Sequence, residues 1–408
     1  MLLLTACEKD SDIEDTDYQL PARRTVLVFM AGENNLSGYV QSDLNEMIQG
    51  RKSVGADCDM LVFIDKAAEK PFIARIRNKA DQPVDTLYKY TEDYYFCDRF
   101  EEILQRMVSY SPQARDYGLI FWGHANGWIL ENNGKDVIRR AYGVDNGDNT
   151  STGRVKEPSR WLNILDMAKV IKQQSLPIKY LFFDCCNMQC AEVAYELRQT
   201  ADYIIASPAE ITGIGAPYQT LVKDFFIEDD EQLGKQLCID YHAQITHEMG
   251  LGDEQLPISV VRTSKMQALA DATRNIMPMI AAHLQTGNPT KDIIYYYNYD
   301  ASNFFPEYGK VLYDMNDMIR TALGDDAEAY TTWKKAFDDA VCYSEGSARW
   351  HSTTLKFRDI DFQVTPEKQG CLSMFFPLKK YQQSQHNYNE EIKKLQWYQA
   401  VGLSEVEE

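Results

Sequence analysis

From residue 24 onward, short runs of apolar residues alternate with longer stretches in which apolar residues recur every three or four positions. The runs Thr25–Ala31, Met60–Asp65, Tyr117–Trp122, Ile178–Asp184, Tyr203–Ser207 and Ile258–Val261 are β-branched or aromatic and too short for helices, which predicts buried strands. Amphipathic helices are predicted between them over Gly38–Gln49, Arg99–Ser109, Asn163–Gln174, Ala191–Gln199 and Glu231–Met249. This alternation, with near-continuous apolar strands, predicts an α/β fold: a doubly wound, mostly parallel sheet with helices on both faces. Helices over Ser264–Leu284, Gly309–Leu323 and Tyr330–Cys342 and a late strand, Gly370–Phe376, predict a helical/β C-terminal extension. No repeat and no Gly/Ser-rich linker interrupts the chain. A boundary within 250–262 divides it into a sheet domain, 24–255, and a C-terminal subdomain, 256–408, expected to pack on it.

Composition narrows the function. A chain of 408 residues, 44% apolar and 25% charged, is long enough for one large domain or two to three ordinary ones and is not disordered. Its net charge of -19 argues against nucleic acid or an anionic membrane surface as main partner, since both require basic patches, and is compatible with cationic ligands. Nine cysteines at irregular spacing are too sparse for a disulfide scaffold. Most lie in apolar surroundings and read as small buried hydrophobes. The exceptions are the tight group Cys185, Cys186 and Cys190, and Cys7. No apolar window reaches the roughly 18 residues of a membrane span. Leu4-Thr5-Ala6-Cys7 resembles a bacterial lipobox, with a small-residue cleavage site after an apolar segment and Cys7 as the acylated residue, although the basic flank is missing and the apolar run is short. The acidic residues 8–23 then read as a tether, and the protein is expected to be exported and lipid-anchored at the outer membrane or cell surface.

In open α/β sheets, functional groups collect beyond the carboxyl ends of the strands. Two such ends carry chemistry: Tyr117–Trp122 runs into Gly123-His124-Ala125-Asn126-Gly127-Trp128, and Ile178–Phe183 into Asp184-Cys185-Cys186-Asn187-Met188. A His beside a Cys supplies a base for a thiol, and a helix expected to start near Asn187 would set its positive end against the thiolate. Between the two ends lies a polar stretch, Glu131–Trp161, too long for an ordinary connection. Metal chemistry fits poorly: Cys185, Cys186 and Cys190 lack a second cysteine pair, and His242 and His247 lack zinc-peptidase spacing. Gly213-Ile-Gly215 is not a dinucleotide fingerprint, and Tyr295–Tyr297 with Tyr299 reads as packing aromatics rather than a carbohydrate platform.

These strand ends, together with Met30-Ala-Gly-Glu-Asn-Asn-Leu36, Asp43-Leu-Asn-Glu-Met47, Phe121–Trp128, Phe183–Met188, Glu192–Leu197, Ala206–Glu210, Gly215–Tyr218, Val311–Met315 and Leu372–Pro377, resemble the clostripain family of cysteine peptidases over about residues 24–380. The resemblance implies a caspase-like sheet and a cysteine endopeptidase cleaving after Arg or Lys. It implies Cys186 as nucleophile, with Cys185 in a position usually held by a small residue, His124 as catalytic histidine, and the backbone N–H groups of Cys186 and Ala125 as oxyanion donors. Ala125 stands where a Gly often follows the histidine, and an Ala would be strained at positive φ. For Asp184 it implies the carboxylate of a basic P1 pocket, against the plainer reading of a helix cap. Glu210 and Asn34 are expected to flank the cleft. Self-cleavage is implied in the loop between His and Cys, where Arg139, Arg140, Arg154, Lys156 and Arg160 are available and Arg154, after Thr150-Ser-Thr-Gly, is the choice. No cofactor is required by this reading, calcium is left as an optional ion, and a monomer acting on protein or peptide substrates is expected. The rival is a surface-binding lipoprotein with the same fold and a silent site, which the intact His124 and Cys186 oppose.

Overall fold

The structure is a computed structural model and describes residues 18–92, 94–111, 113–130, 142–146, 159–244, 254–299, 309–325, 327–357, 360–383 and 387–406. Among them the strands are β1 (Arg24–Gly32), β2 (Cys58–Lys66), β3 (Phe72–Ile76), β4 (Val84–Lys89), β5 (Asp116–Gly123), β6 (Tyr142–Asp145), β7 (Arg160–Leu162), β8 (Ile178–Asp184), β9 (Tyr203–Ala206), β10 (Ile258–Arg262), β11 (Tyr313–Asp314), β12 (Val341–Glu345) and β13 (Ser373–Met374). The helices used below are α1 (Val40–Arg51), α2 (Phe96–Tyr110), α3 (Ile164–Gln173), α4 (Ala191–Glu196), α5 (Tyr218–Leu221), α6 (Asp230–His242), α7 (Met266–Leu284), α8 (Met315–Leu323) and α9 (Glu328–Ala340).

Nine strands form one sheet in the order β12-β10-β9-β8-β5-β1-β2-β3-β4. The central run β9-β8-β5-β1-β2 is parallel throughout. Its strands are buried on both faces, so alternate residues feed two separate cores. Leu27, Phe29, Leu119, Phe121, Leu181 and Phe183 pack with α2, α3, α4 and α7. Val26, Val28, Ile120, Trp122, Tyr180 and Phe182 pack on the opposite side with α1, α5 and α6. Register is locked on the first side by an aromatic ladder. Phe29, Phe121 and Phe183 stand directly opposite one another on adjacent strands, with ring centroids 5.3 and 5.1 Å apart. A slip of one residue would turn these rings to the wrong face.

All six expected central strands are present, but the sheet extends further than the apolar runs predict. β3 and β4 continue it antiparallel beyond β2, and at the other edge the expected β10 runs antiparallel to β9 and is followed by an unexpected β12. β4 has no buried face to announce it, since every residue is at least partly exposed. The helix expected over Tyr330–Cys342 ends at Ala340, and Val341-Cys342 opens β12. The helix expected from Gly309 starts only at Met315, because Tyr313–Asp314 pairs with Ser373–Met374, which is all that remains of the expected strand Gly370–Phe376. Asp314 caps that helix by accepting from Asp317 N–H at 3.0 Å. The helix expected over Glu231–Met249 ends at His242, with residues 245–249 outside the described set. No described helix is long and apolar enough to cross a membrane.

Residues 256–408 thus supply two strands of the main sheet, and polar contacts tie them to the rest. Gln189 Nε2 donates to Ser259 O at 2.7 Å, and Phe375 N–H donates to Glu192 Oε1 at 2.7 Å. Burial pushes the Glu192 carboxyl up to about 8. A carboxyl that binds its proton more tightly when folded stabilises the fold below its unfolded pKa, and that contribution is lost as pH rises through the folded value. Stability should therefore fall between about pH 5 and pH 8, by up to about 1.4 kcal/mol per pH unit for this one group. Glu192→Gln, which keeps the acceptor for Phe375, should flatten that slope in urea melts at a series of pH values. An unchanged slope would exclude Glu192 as its source.

Candidate active site

The parallel register of β5 and β8 sets Trp122 opposite Asp184. His124 and Cys186 each follow two residues later, so they leave neighbouring strand ends at the same level, both partly exposed. Gly123 makes the turn possible at φ +144°, where an added Cβ would lie 2.9 Å from Ala31 O. Ala125 forms an isolated antiparallel bridge with Tyr142, and Gly143 N–H donates to His124 O at 2.8 Å. That bond marks Ala125–Tyr142 as the non-hydrogen-bonded kind of pair, in which Ala125's own N–H points away from its partner, as an oxyanion donor must. Positive φ falls on Gly123 and Gly127, so Ala125 carries no backbone strain.

The two adjacent cysteines separate as strand alternation requires. Cys185 is buried in the α2/α3/α4 layer and donates to Phe121 O at 2.8 Å, a packing role. Cys186 turns to the other side, where Ile211 N–H donates to its Sγ at 3.4 Å. The expected helix start at Asn187 is absent: Cys186 and Asn187 form a turn, and α4 starts at Ala191 with Cys190 at its N-cap. Among the described residues, the helix end expected at the thiol is therefore missing. Burial, followed by the charge of Glu210, pushes the Cys186 thiol up to about 12, so it rests protonated.

Two neighbours of the pair were not legible in the sequence. His124 Nε2 meets Asn35 Oδ1 at 2.6 Å. Asn187 holds φ +61°, donates its N–H to Ala209 O at 2.8 Å, and buries a carboxamide that has no hydrogen-bond partner among the described residues. Asn34, expected to flank the cleft, braces the loop: its Nδ2 donates to Ala31 O at 3.0 Å and to Val144 O at 2.8 Å, while its Oδ1 accepts from Leu36 N–H at 2.8 Å.

Asp184 is buried and does not cap α4. Its carboxylate accepts from Tyr241 OH at 2.6 Å, Tyr218 OH at 2.9 Å and Ala216 N–H at 3.1 Å. Burial still raises its pKa, against the pull of those bonds. Asp43 of α1 adds a second buried carboxyl, bonded by Trp122 Nε1 at 2.5 Å and pushed up to about 8 by burial and then by Asp184. The two converge on Gly215, whose added Cβ would lie 3.0 Å from Asp184 Oδ2 and 3.2 Å from Asp43 Oδ2.

Glu210 lies near enough to Cys186 to raise its thiol, and it accepts from Ser352 Oγ at 2.8 Å, Thr353 N–H at 2.6 Å and Thr353 Oγ1 at 2.7 Å. Of the tyrosine run, Tyr295 and Tyr296 are core residues, whereas Tyr299 OH donates to Asn126 O at 3.0 Å beside the histidine turn. Arg160 is pinned by Asp98 at 2.7 Å and stacks on Tyr95. Arg139, Arg140, Arg154, Lys156, His247 and Cys7 lie outside the described residues. One group of carboxylates among those described could hold a hard cation: Glu33, Asp65 and Asp145 are buried, with ligand oxygens within 4.8 Å of one another.

A profile of the clostripain family matches residues 28–408. Among solved structures, a secreted C11 cysteine protease from Bacteroides thetaiotaomicron in complex with an irreversible peptide inhibitor is 28% identical, with TM-score 0.73 over 94% of this chain and 99% of its own. An inactive zymogen C11 protease from Parabacteroides distasonis is 25% identical, with TM-score 0.70 over 93% of this chain and 98% of its own. A third, "iotapain" from Bacteroides thetaiotaomicron, is 18% identical with TM-score 0.69 over 94% and 100%, a likeness of fold alone. No curated protein matches the chain.

The close approach at Gly215 has a measurable consequence. Its φ of +65° is strained for any side chain, and a methyl group would crowd both carboxylates. Gly215→Ala should cost about 1–3 kcal/mol of stability. A melting temperature equal to the parent's would refute that geometry.

Proposed function

Because the chain belongs to the clostripain family and is a cysteine peptidase, we propose that it is an endopeptidase that cuts after Arg or Lys through Cys186 and His124 and is activated by self-cleavage between them. The observation that carries this reading is the β5–β8 register, which brings a thiol and an imidazole level at adjacent strand ends. In the proposed reaction, the Cys186 Sγ–H proton passes to the imidazole while sulfur bonds to the scissile carbonyl carbon. The carbonyl π pair moves to oxygen, where the N–H groups of Cys186 and Ala125 receive it. On collapse the C–N bond breaks, the imidazolium gives its proton to the leaving amine, and water later hydrolyses the thioester.

Asp184 is the residue proposed to select a basic P1 side chain. It stands two residues before the nucleophile, and Asp43 beside it adds a second carboxyl that ionises as pH rises towards about 8. A cation binds the ionised pair, so KM for Arg peptides should fall as pH rises towards about 8, the value to which Asp43 is raised. Fluorogenic peptides ending in Arg, Lys, Asp or Asn test the whole reading. Turnover is expected after Arg or Lys only, and Cys186→Ala and His124→Ala should each lower kcat by at least about 10³-fold. Equal turnover of all four peptides, or unchanged turnover in either variant, would overturn it.

Arg154 is the proposed self-cleavage site. Purified parent chain should run as two fragments and Arg154→Ala as one; the same two fragments from the variant would exclude that bond. Calcium remains optional in this reading, with Glu33, Asp65 and Asp145 as the residues that would hold it. Export and acylation at Cys7 belong to the same proposal; the Bacteroides thetaiotaomicron relative is described as secreted.

A further inference from the structure

The loop Glu33–Ser37 brings a group to the catalytic histidine that neither the sequence pattern nor the dyad reading assigns. Asn35 Oδ1 lies 2.6 Å from His124 Nε2, across 89 residues of sequence. We propose that Asn35 is the positioning residue of His124, fixing its ring and its tautomer for proton exchange with Cys186. This rests on the reading of His124 and Cys186 as the reacting pair.

The chemistry of the bond is one-sided. A carboxamide oxygen can only accept, so the ring nitrogen it meets must carry the hydrogen. Neutral His124 is thereby held with its proton on Nε2, which makes Nδ1 the nitrogen that takes the thiol proton. Once Nδ1 is protonated, the Nε2–H···Oδ1 bond becomes charge-assisted and stronger, which favours the imidazolium that the attack creates. The effect matters here because burial and Glu210 push the thiol up to about 12, and a base held in line lowers the barrier to taking so tightly held a proton.

Asn35 is well placed to act as a fixed support. The preceding residue, Asn34, bonds the ends of both β1 and β6 through Ala31 O and Val144 O. Asn34 N–H donates to Gly32 O at 2.8 Å and Ser37 N–H to Asn34 O at 3.1 Å. Ser37 Oγ accepts from Ala67 N–H at 3.1 Å beyond β2, and Asn146 N–H donates to Glu33 O at 3.2 Å. The loop is thus tied to three strands around the position that presents the carboxamide.

The test compares the full-length parent with Asn35→Ala and Asn35→Asp, using an Arg fluorogenic peptide and iodoacetamide alkylation of Cys186 as functions of pH. Asn35→Ala should lower kcat by roughly 10- to 100-fold with KM within about twofold. Alkylation in this variant should follow a single high thiol titration. Asn35→Asp keeps an acceptor of the same shape but adds charge, so it should recover most of kcat and move the acidic limb of kcat/KM to higher pH. Parent-like kcat and pH profile in Asn35→Ala would overturn the proposal, as would an Asn35→Asp enzyme as impaired as the alanine variant. A parent that cleaves no basic peptide would instead sink the peptidase reading itself. Melting temperatures within a few degrees of the parent's separate loss of positioning from loss of fold.

Discussion

The candidate active site of this molecule depends on one parallel pairing. β5 and β8 lie side by side with Trp122 opposite Asp184, and each continues two residues to a reactive side chain. Parallel strands end on the same edge of a sheet, so both groups emerge together without a loop having to find the other. The pairing is held from below by Phe29, Phe121 and Phe183, whose stacked rings cross three strands. Such contacts contribute about 0.5–1.5 kcal/mol each beyond their burial. Their larger effect is on register, since a slip would place Asp184 in the opposite core and carry Cys186 away from His124.

Around that pairing, the C-terminal half completes what the central strands cannot supply alone. Ser352 and Thr353 satisfy Glu210 beside Cys186, and Tyr299 bonds Asn126 on the histidine turn. β10 and β12 close one sheet edge, while Phe375 bonds Glu192 on α4 below the cysteine turn. Each contact answers a buried polar group that would otherwise remain costly. The rim of the site is therefore assembled from both ends of the chain, and the strength of its field depends on contacts more than 140 residues apart in sequence.

The sequence disclosed the parts of this arrangement that use repetition. Double burial leaves a continuous apolar run, so the central strands were legible, and with them the positions of His124 and Cys186. Features that answer to a neighbour rather than to a period were not. β4 is partly exposed along its whole length and carries no alternating signature. Val341 leaves the helical pattern without a Gly or Pro to mark the change, because pairing with β10 decides its conformation. Asn187 belongs to a turn rather than to α4, which removed the helix end expected at the thiol. Asn35 lay within a segment already compared with the family, but its relation to His124 exists only after β1 and β5 have paired.

That missing helix end changes how Cys186 would be activated under the proposed reading. Among the described residues no helix end faces the thiol, and burial, then Glu210 and, less, Asp184 raise it. Under the proposed reading, Cys186 starts as a neutral thiol that must lose its proton during attack. Under the proposed preference for Arg or Lys, the substrate itself brings the absent cation. A guanidinium or ammonium seated at Asp184 would cancel part of the field that disfavours the thiolate two residues away, and substrate closure would shield what remains from water. Recognition and activation then draw on the same carboxylate. A peptide with a neutral P1 residue would lose the ion pair and leave the thiol at its resting value, so its penalty would appear in kcat as well as in KM.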